Sequence, residues 1–313
     1  CRGTAGFVHV SCLVEQAKVL NDEAEENNLS GPNHLYRWER WHTCGLCEQK
    51  HHGIVYCALG WACWKTYLGR PETDRCRRCA MTVLGNGLLF TKQRAADALR
   101  VFLSLKSLTQ RRGASTESIL TVNVNMANCY WALGRLDEAL QLRRQDYEIR
   151  LGVLGAAHAD ALGSAQSLAH SLVEKGDWAE ARTFLTKQIP IAQRVLGPNA
   201  QTTLTLCTLK AQALCSGEVS VANAVDAIAI CEDTSQRARQ IFGATHPRTK
   251  SYQEDLRLSR ECLAKVRTTP DGRAHCRPRC TTDDLLTDAT VLPIWIPFFL
   301  LYCPGLTSIP HRW

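Results

Sequence analysis

The chain has 313 residues, 45% of them hydrophobic and 21% charged, enough for about two domains with apolar cores. Its formal net charge of +7 comes from scattered Lys and Arg, too diffuse for a nucleic-acid surface. Eight of its 16 cysteines precede residue 80, and Cys-x2-Cys pairs favour metal in a reducing, cytoplasmic setting over a disulfide framework.

At the start of the chain, seven residues separate Cys1 from His9 and two separate His9 from Cys12. A longer stretch then leads to Cys44-Gly-Leu-Cys47. Zinc takes four soft or borderline donors at tetrahedral angles, and small metal domains fold only when all four are supplied. This spacing, with its Cys-Arg-Gly and His-x2-Cys-Leu stretches, resembles the second half of a RING-variant (RING-CH, C4HC3) finger. The resemblance implies Zn(2+) as cofactor and Cys1, His9, Cys12, Cys44 and Cys47 as ligands. Cys1, Cys44 and Cys47 would share one zinc with a further cysteine; His9 and Cys12 would share a second zinc with two more. The finger, residues 1–53, is thus expected to be cut on its N-terminal side. The stretch between Cys12 and Cys44 is longer than the usual loop of that family. Within it, Asn21-Asp-Glu-Ala-Glu-Glu26 and Ser30-Gly-Pro-Asn33 read as a solvated insertion.

Residues 54–73 are predicted as a connecting helix, with Trp61, Trp64 and Tyr67 on one side and Trp38 and Trp41 packing the finger against it. His51-His52 read as solvent-facing. Cys76-Arg-Arg-Cys79 falls on a predicted helix and reads as two unrelated thiols. A reactive thiol there would draw on Arg75, Arg77 and Arg78 for an electropositive setting.

From residue 74 to 267 the chain repeats itself. Gly134-Arg-Leu-Asp-Glu-Ala139 returns downstream as Gly176-Asp-Trp-Ala-Glu-Ala181. The same offset carries Leu154-Gly155 to Leu196-Gly197, Leu120 to Leu162 and Leu204, and Ala127 to Ala169 and Ala211. A fixed period of this length marks stacked helical hairpins. Helices are predicted over 118–133 and 136–153, with Gly134 and Gly176 in the left-handed conformation that ends a helix. Alanines 127, 139 and 181 let paired helices approach closely.

These residues, with Tyr130, Tyr147, Ile149, Ile191 and His246-Pro247, resemble the kinesin-light-chain type of tetratricopeptide repeat. The combination is similar to zinc-finger and repeat proteins of unicellular algae. The expected fold is all-α: a right-handed solenoid of about four helical pairs behind a small, incomplete RING-like module.

The tail, 268–313, holds six of the eleven prolines and is expected to be irregular. Its apolar run Val291–Tyr302 is too short for a membrane helix and is interrupted by Pro293 and Pro297. Cys276 and Cys280 read as coil without a site. No glycine-rich phosphate loop, Gly-x-Ser-x-Gly or His-Glu-x2-His occurs.

Two functions follow. The first is a protein-interaction scaffold whose first helices line a groove for protein or peptide ligands, with Asn123, Asn128, Gln166, His170, Thr208 and Gln212 as groove positions. The alternative, in an intact parent, is a RING-type ubiquitin ligase that docks a ubiquitin-conjugating enzyme while the repeats choose the substrate. A cargo adaptor of the motor-light-chain kind would need heptads, and no sustained run of them occurs.

Overall fold

The computed structural model describes residues 9–91 and 93–276. Among them are twelve α-helices and one two-stranded ribbon, so the expected all-α fold holds. The chain divides between Arg135 and Leu136 into two compact units.

The first unit carries α1 (Val10–Glu26), α2 (Gly31–Trp38), a 3-10 turn (Glu39–Trp41), α3 (Gly53–Tyr67), α4 (Arg75–Leu89), α5 (Ala95–Arg111) and α6 (Thr116–Ala132). The stretch expected to be a solvated insertion is helical. Leu13, Ala17, Asn21 and Ala24 recur at steps of three and four, so α1 has a buried stripe beneath its acidic face. Arg70 fixes α1 to the end of α3 by a two-pronged bond to Glu25, at 2.7 and 2.8 Å.

Trp38 and Trp41 do pack on the helix after the finger segment, against Tyr67 at ring separations of 5.3 and 6.2 Å. Of the three aromatic residues expected on one side of that helix, Tyr67 is buried and Trp64 half-buried. Tyr56, Leu59, Gly60, Cys63 and Tyr67 are buried, while Trp61 is exposed. Glycine sets the closeness of α3 and α4: a Cβ on Gly87 would stand 2.9 Å from the Tyr56 carbonyl oxygen, and one on Gly60 would stand 3.0 Å from that of Val83. Within this unit α3 packs on α4, α4 on α5 and α5 on α6, and α4 also touches α6.

The second unit runs through α7 (Leu136–Leu154), α8 (Ala159–Lys175), α9 (Trp178–Val195), α10 (Gln201–Leu214), β1 (Gly217–Ser220), α11 (Val221–Phe242), α12 (Pro247–Arg267) and β2 (Arg273–Cys276). Consecutive helices pack together, and α10 also packs on both α8 and α12. Here α8, α10 and α12 form one layer and α7, α9 and α11 the other, the order of a stacked-hairpin solenoid. The seam is aliphatic: Leu140, Leu162, Leu172, Ala181, Leu185 and Leu206 are nearly or fully buried.

Gly134 and Gly176 have φ of +72° and +94°, as their place after a helix end requires. Across α7 runs a charged layer. Arg150 donates from Nε to Asp146 at 2.9 Å, with both side chains at 10% exposure or less. Arg143, half-buried, donates to the Ser167 carbonyl at 3.0 Å.

The expected irregular tail begins later than residue 268. Arg273–Cys276 pairs antiparallel with Gly217–Ser220, Gly217 opposite Cys276 and Ser220 opposite Arg273. Ala274 and Cys276 bury one face of that strand against Val266, Cys262 and Val219. The Val291–Tyr302 run and Cys280 lie outside the described residues. No helix among the described residues is long and apolar enough to cross a membrane.

Candidate functional site

The sites proposed from sequence fall in different parts of the fold. In the second unit, His170 on α8 and Gln212 on α10 lie one repeat length apart, at the same distance from the start of their helices, and Asp255 lies on α12. Because α8, α10 and α12 pack side by side, this step places His170 and Gln212 at matching positions along one layer. Gln212 donates from Nε2 to Asp255 Oδ1 at 3.0 Å. His170 and Gln212 keep part of their surface accessible, and Asp255 is buried. Protein nonetheless packs densely around the imidazole. Burial first, then the Arg143 guanidinium, lowers the His170 pKa to about 3, so the ring is neutral near pH 7.

The other groove positions differ. Gln166 and Thr208 are buried, and Thr208 donates back to the Leu204 carbonyl at 3.0 Å. In the first unit Asn123 is buried and Asn128 is half-buried, both on α6. Burial thus separates the six, leaving Asn128, His170 and Gln212 with surface to offer a ligand.

The metal positions also divide. Cys1 lies outside the described residues. His9 caps the start of α1 and exposed Cys12 sits in its first turn. Cys44 and Cys47 stand in a tight knuckle closed by a bridge between Thr43 and Lys50. The Cys44 amide donates to the Gln49 carbonyl at 2.8 Å, and Glu48, at φ +55°, donates back to that of Cys44 at 3.0 Å.

Leu46 N–H points at Cys44 Sγ at 3.5 Å. Burial raises the Cys44 pKa, but backbone amides of Cys47 and Leu46 outweigh it and hold the thiol below its usual value. A thiolate so held suits a soft cation. Among the described residues no group of three or more His, Cys, Asp or Glu is placed to hold a metal. The knuckle therefore supplies two donors, and His9 and Cys12 add none to it.

His51 is half-buried, with Nε2 enclosed, so it does not face solvent as expected. Cys76 and Cys79 sit on α4 as two thiols of a partly buried helix face. Burial first, then Cys79 and Glu25, pushes the Cys76 pKa up to about 12, and the neighbouring arginines do not overcome this.

Sequence reading missed a pair of histidine caps. His158 Nδ1 accepts the Asp160 amide at 3.1 Å at the start of α8, and His246 Nδ1 accepts that of Arg248 at 3.2 Å at the start of α12. The signal was present: His158 and His246 follow Gly155 and Gly243 by the same three residues.

The tetratricopeptide repeat family matches residues 124–160, which span the end of α6, all of α7 and the start of α8. The chain carries a segment similar to this repeat.

No curated protein matches the sequence. Among solved structures, a Podosopora anserina protein described as a kinesin light chain with nearly identical TPR-like repeats is 18% identical. The match covers 84% of this chain and 100% of that one, at a TM-score of 0.44. The Rap protein complexed with Competence and Sporulation Factor is 14% identical over 82% of this chain and 72% of its own, at 0.42. BtubC (BKLC) from P. vanneervenii is 14% identical over 87% and 96%, at 0.41. The fold assignment rests on the helix packing described above.

Proposed function

We propose that this protein is a scaffold that binds protein or peptide partners along the α8–α10–α12 layer of its second unit. One observation carries the reading: His170 and Gln212 recur at repeat-equivalent positions on helices that pack side by side, and Gln212 donates to Asp255 on the next helix of that layer. A partly accessible amide and a neutral imidazole each offer a donor and an acceptor, which an extended peptide backbone needs at regular intervals.

The test uses peptides selected from a random library on the immobilised full chain. Gln212→Ala and His170→Ala are expected to weaken the selected peptides at least fivefold by fluorescence polarisation, with circular dichroism unchanged. Equal affinity for wild type and both variants overturns the reading.

A second reading, zinc binding, is favoured by the Cys44–Cys47 knuckle alone. These two thiolates would hold the ion, with Cys1 as the third ligand that the RING-CH resemblance implies. Bound zinc would tie the knuckle to the preceding segment and stabilise it structurally. Cys44→Ser is expected to abolish metal content by mass spectrometry of the purified chain; undiminished zinc in that variant overturns the reading. The ubiquitin-ligase alternative depends on the same finger, and discharge of a charged ubiquitin-conjugating enzyme by the full chain is its test.

A further inference from the structure

Away from the knuckle, three thiols meet at the last hairpin of the second unit. Cys215 caps the end of α10, Cys262 lies near the end of α12, and Cys276 closes β2. The register that sets Cys276 opposite Gly217 brings β2 back over α12. Lys265 holds it there by donating to the His275 carbonyl at 2.8 Å. Cys262 Sγ and Cys276 Sγ stand 2.7 Å apart. That is longer than the roughly 2.05 Å of a disulfide bond, yet closer than two thiols otherwise pack.

Cys262 Sγ also reaches the Cys215 carbonyl at 3.9 Å. Cys262 and Cys276 are buried, whereas Cys215 is half-buried. All three line an open pocket of about 200 Å³, so a small reagent can enter. The thiols also differ in character. A hydrogen bond from Cys262 lowers the Cys215 pKa against the effect of burial, while Cys215, followed by burial and Cys276, raises that of Cys262. Cys215 is therefore the better thiolate, and Cys262 holds its proton.

We propose that Cys215, Cys262 and Cys276 form a thiol–disulfide exchange site for low-molecular-weight disulfides of the glutathione class, ending in a Cys262–Cys276 disulfide. The Cys215 thiolate attacks one sulfur of the small disulfide, RSSR, forms a mixed disulfide and releases RS⁻. Cys262 passes its proton to that thiolate and attacks Cys215 Sγ, expelling a second RS⁻ and forming a Cys215–Cys262 bond. Cys276 then attacks Cys262 Sγ, and Cys215 leaves as a thiolate. The Cys276 proton goes to the second RS⁻. In sum, RSSR and the two thiols of Cys262 and Cys276 become the protein disulfide and two RSH, a two-electron oxidation with Cys215 regenerated.

The experiment incubates the reduced full chain with glutathione buffers of increasing oxidised fraction. It then quenches in acid, alkylates free thiols and maps tryptic peptides by mass. Trypsin separates the two partners, since Cys262 lies in 261–265 and Cys276 in the peptide that starts at Ala274. The expected product joins these two peptides, is reversed by dithiothreitol, and leaves Cys215 alkylated. Cys215→Ser is expected to slow its formation at least tenfold.

Cys262 and Cys276 alkylated at every buffer ratio, or Cys276 joined to another cysteine, overturns the pairing. A wild-type rate in Cys215→Ser overturns the exchange role. The wild-type map needs no variant to fold, so the pairing is decided in either case.

Discussion

The two units solve one packing problem with different materials. In the second, leucines and alanines that recur once per repeat fill a seam between helices that meet in a regular order. In the first, single large rings and single glycines do the work: Trp38, Trp41 and Tyr67 form an aromatic cluster, and Gly60 and Gly87 let α3 and α4 approach. A periodic seam spreads its stability over many equivalent contacts. An aromatic cluster concentrates it in a few side chains, each worth more alone.

Trp41→Ala sharpens that contrast most. It empties a fully buried site in the first unit and is expected to cost about 3–5 kcal/mol, read from chemical denaturation. Hydrogen exchange should show amide protection falling in α1 and α3 and holding in α9. Asp146→Ala is the matching cut in the second unit. It removes the carboxylate to which the buried Arg150 donates and is expected to cost about 3–5 kcal/mol, with exchange rising in α7 and α8. Loss spread evenly over both units in either variant would break the contrast.

Smaller effects follow from overpacking and from protons. Ala139→Trp and Ala181→Trp force an indole between paired helices and are expected to cost about 1–3 kcal/mol or more, seen as a lower Tm. Acid should strain both units alike. Burial first, then Lys50, lowers the pKa of His42 in the first unit to about 3, and His170 in the second is also lowered to about 3.

An unfolded histidine titrates near 6.5, so between about pH 6.5 and 3 the unfolded chain binds more protons than the folded one. The stability these rings contribute is fully present above pH 6.5 and drains away as pH falls through that window. His170→Gln is expected to flatten the decline in guanidinium titrations at stepped pH; an unchanged slope contradicts a buried neutral ring. Last come His158→Ala and His246→Ala, each expected to cost about 1 kcal/mol through a lost helix cap, checked by thermal unfolding.

What was legible in the sequence tracks this same difference. Ala127, Gly134, Ala139 and their repeats announced α6 and the helices of the second unit because period is a strong signal, and the φ values of Gly134 and Gly176 bear out the turns. The stretch before residue 74 lacks a period. Its α1 was hidden because Asp22, Glu23, Glu25 and Glu26 outweigh Leu13, Ala17 and Ala24 in any reading by composition, although the apolar residues have helical spacing.

The ribbon was hidden for another reason. Four residues, Arg273-Ala-His-Cys276, become a strand only against a partner that lies two long helices earlier in the chain. Of the groove positions, period located the helices but not the burial of Gln166 and Thr208, which depends on neighbours that pattern alone does not reveal. The Cys44–Cys47 knuckle could be read directly, because its spacing is its geometry.

That ribbon has a consequence for the order in which the chain assembles. The main helical contacts in the second unit join near neighbours along the chain, while the pairing of Gly217 with Cys276 must close a loop that contains the whole of α11 and α12. Closing so long a loop in a disordered chain is entropically costly, but α11 and α12, once docked, bring its ends together. The strands are therefore expected to zip last. Pulse-labelling during refolding should find the amides of Val219 and Ala274 protected only after those of α11.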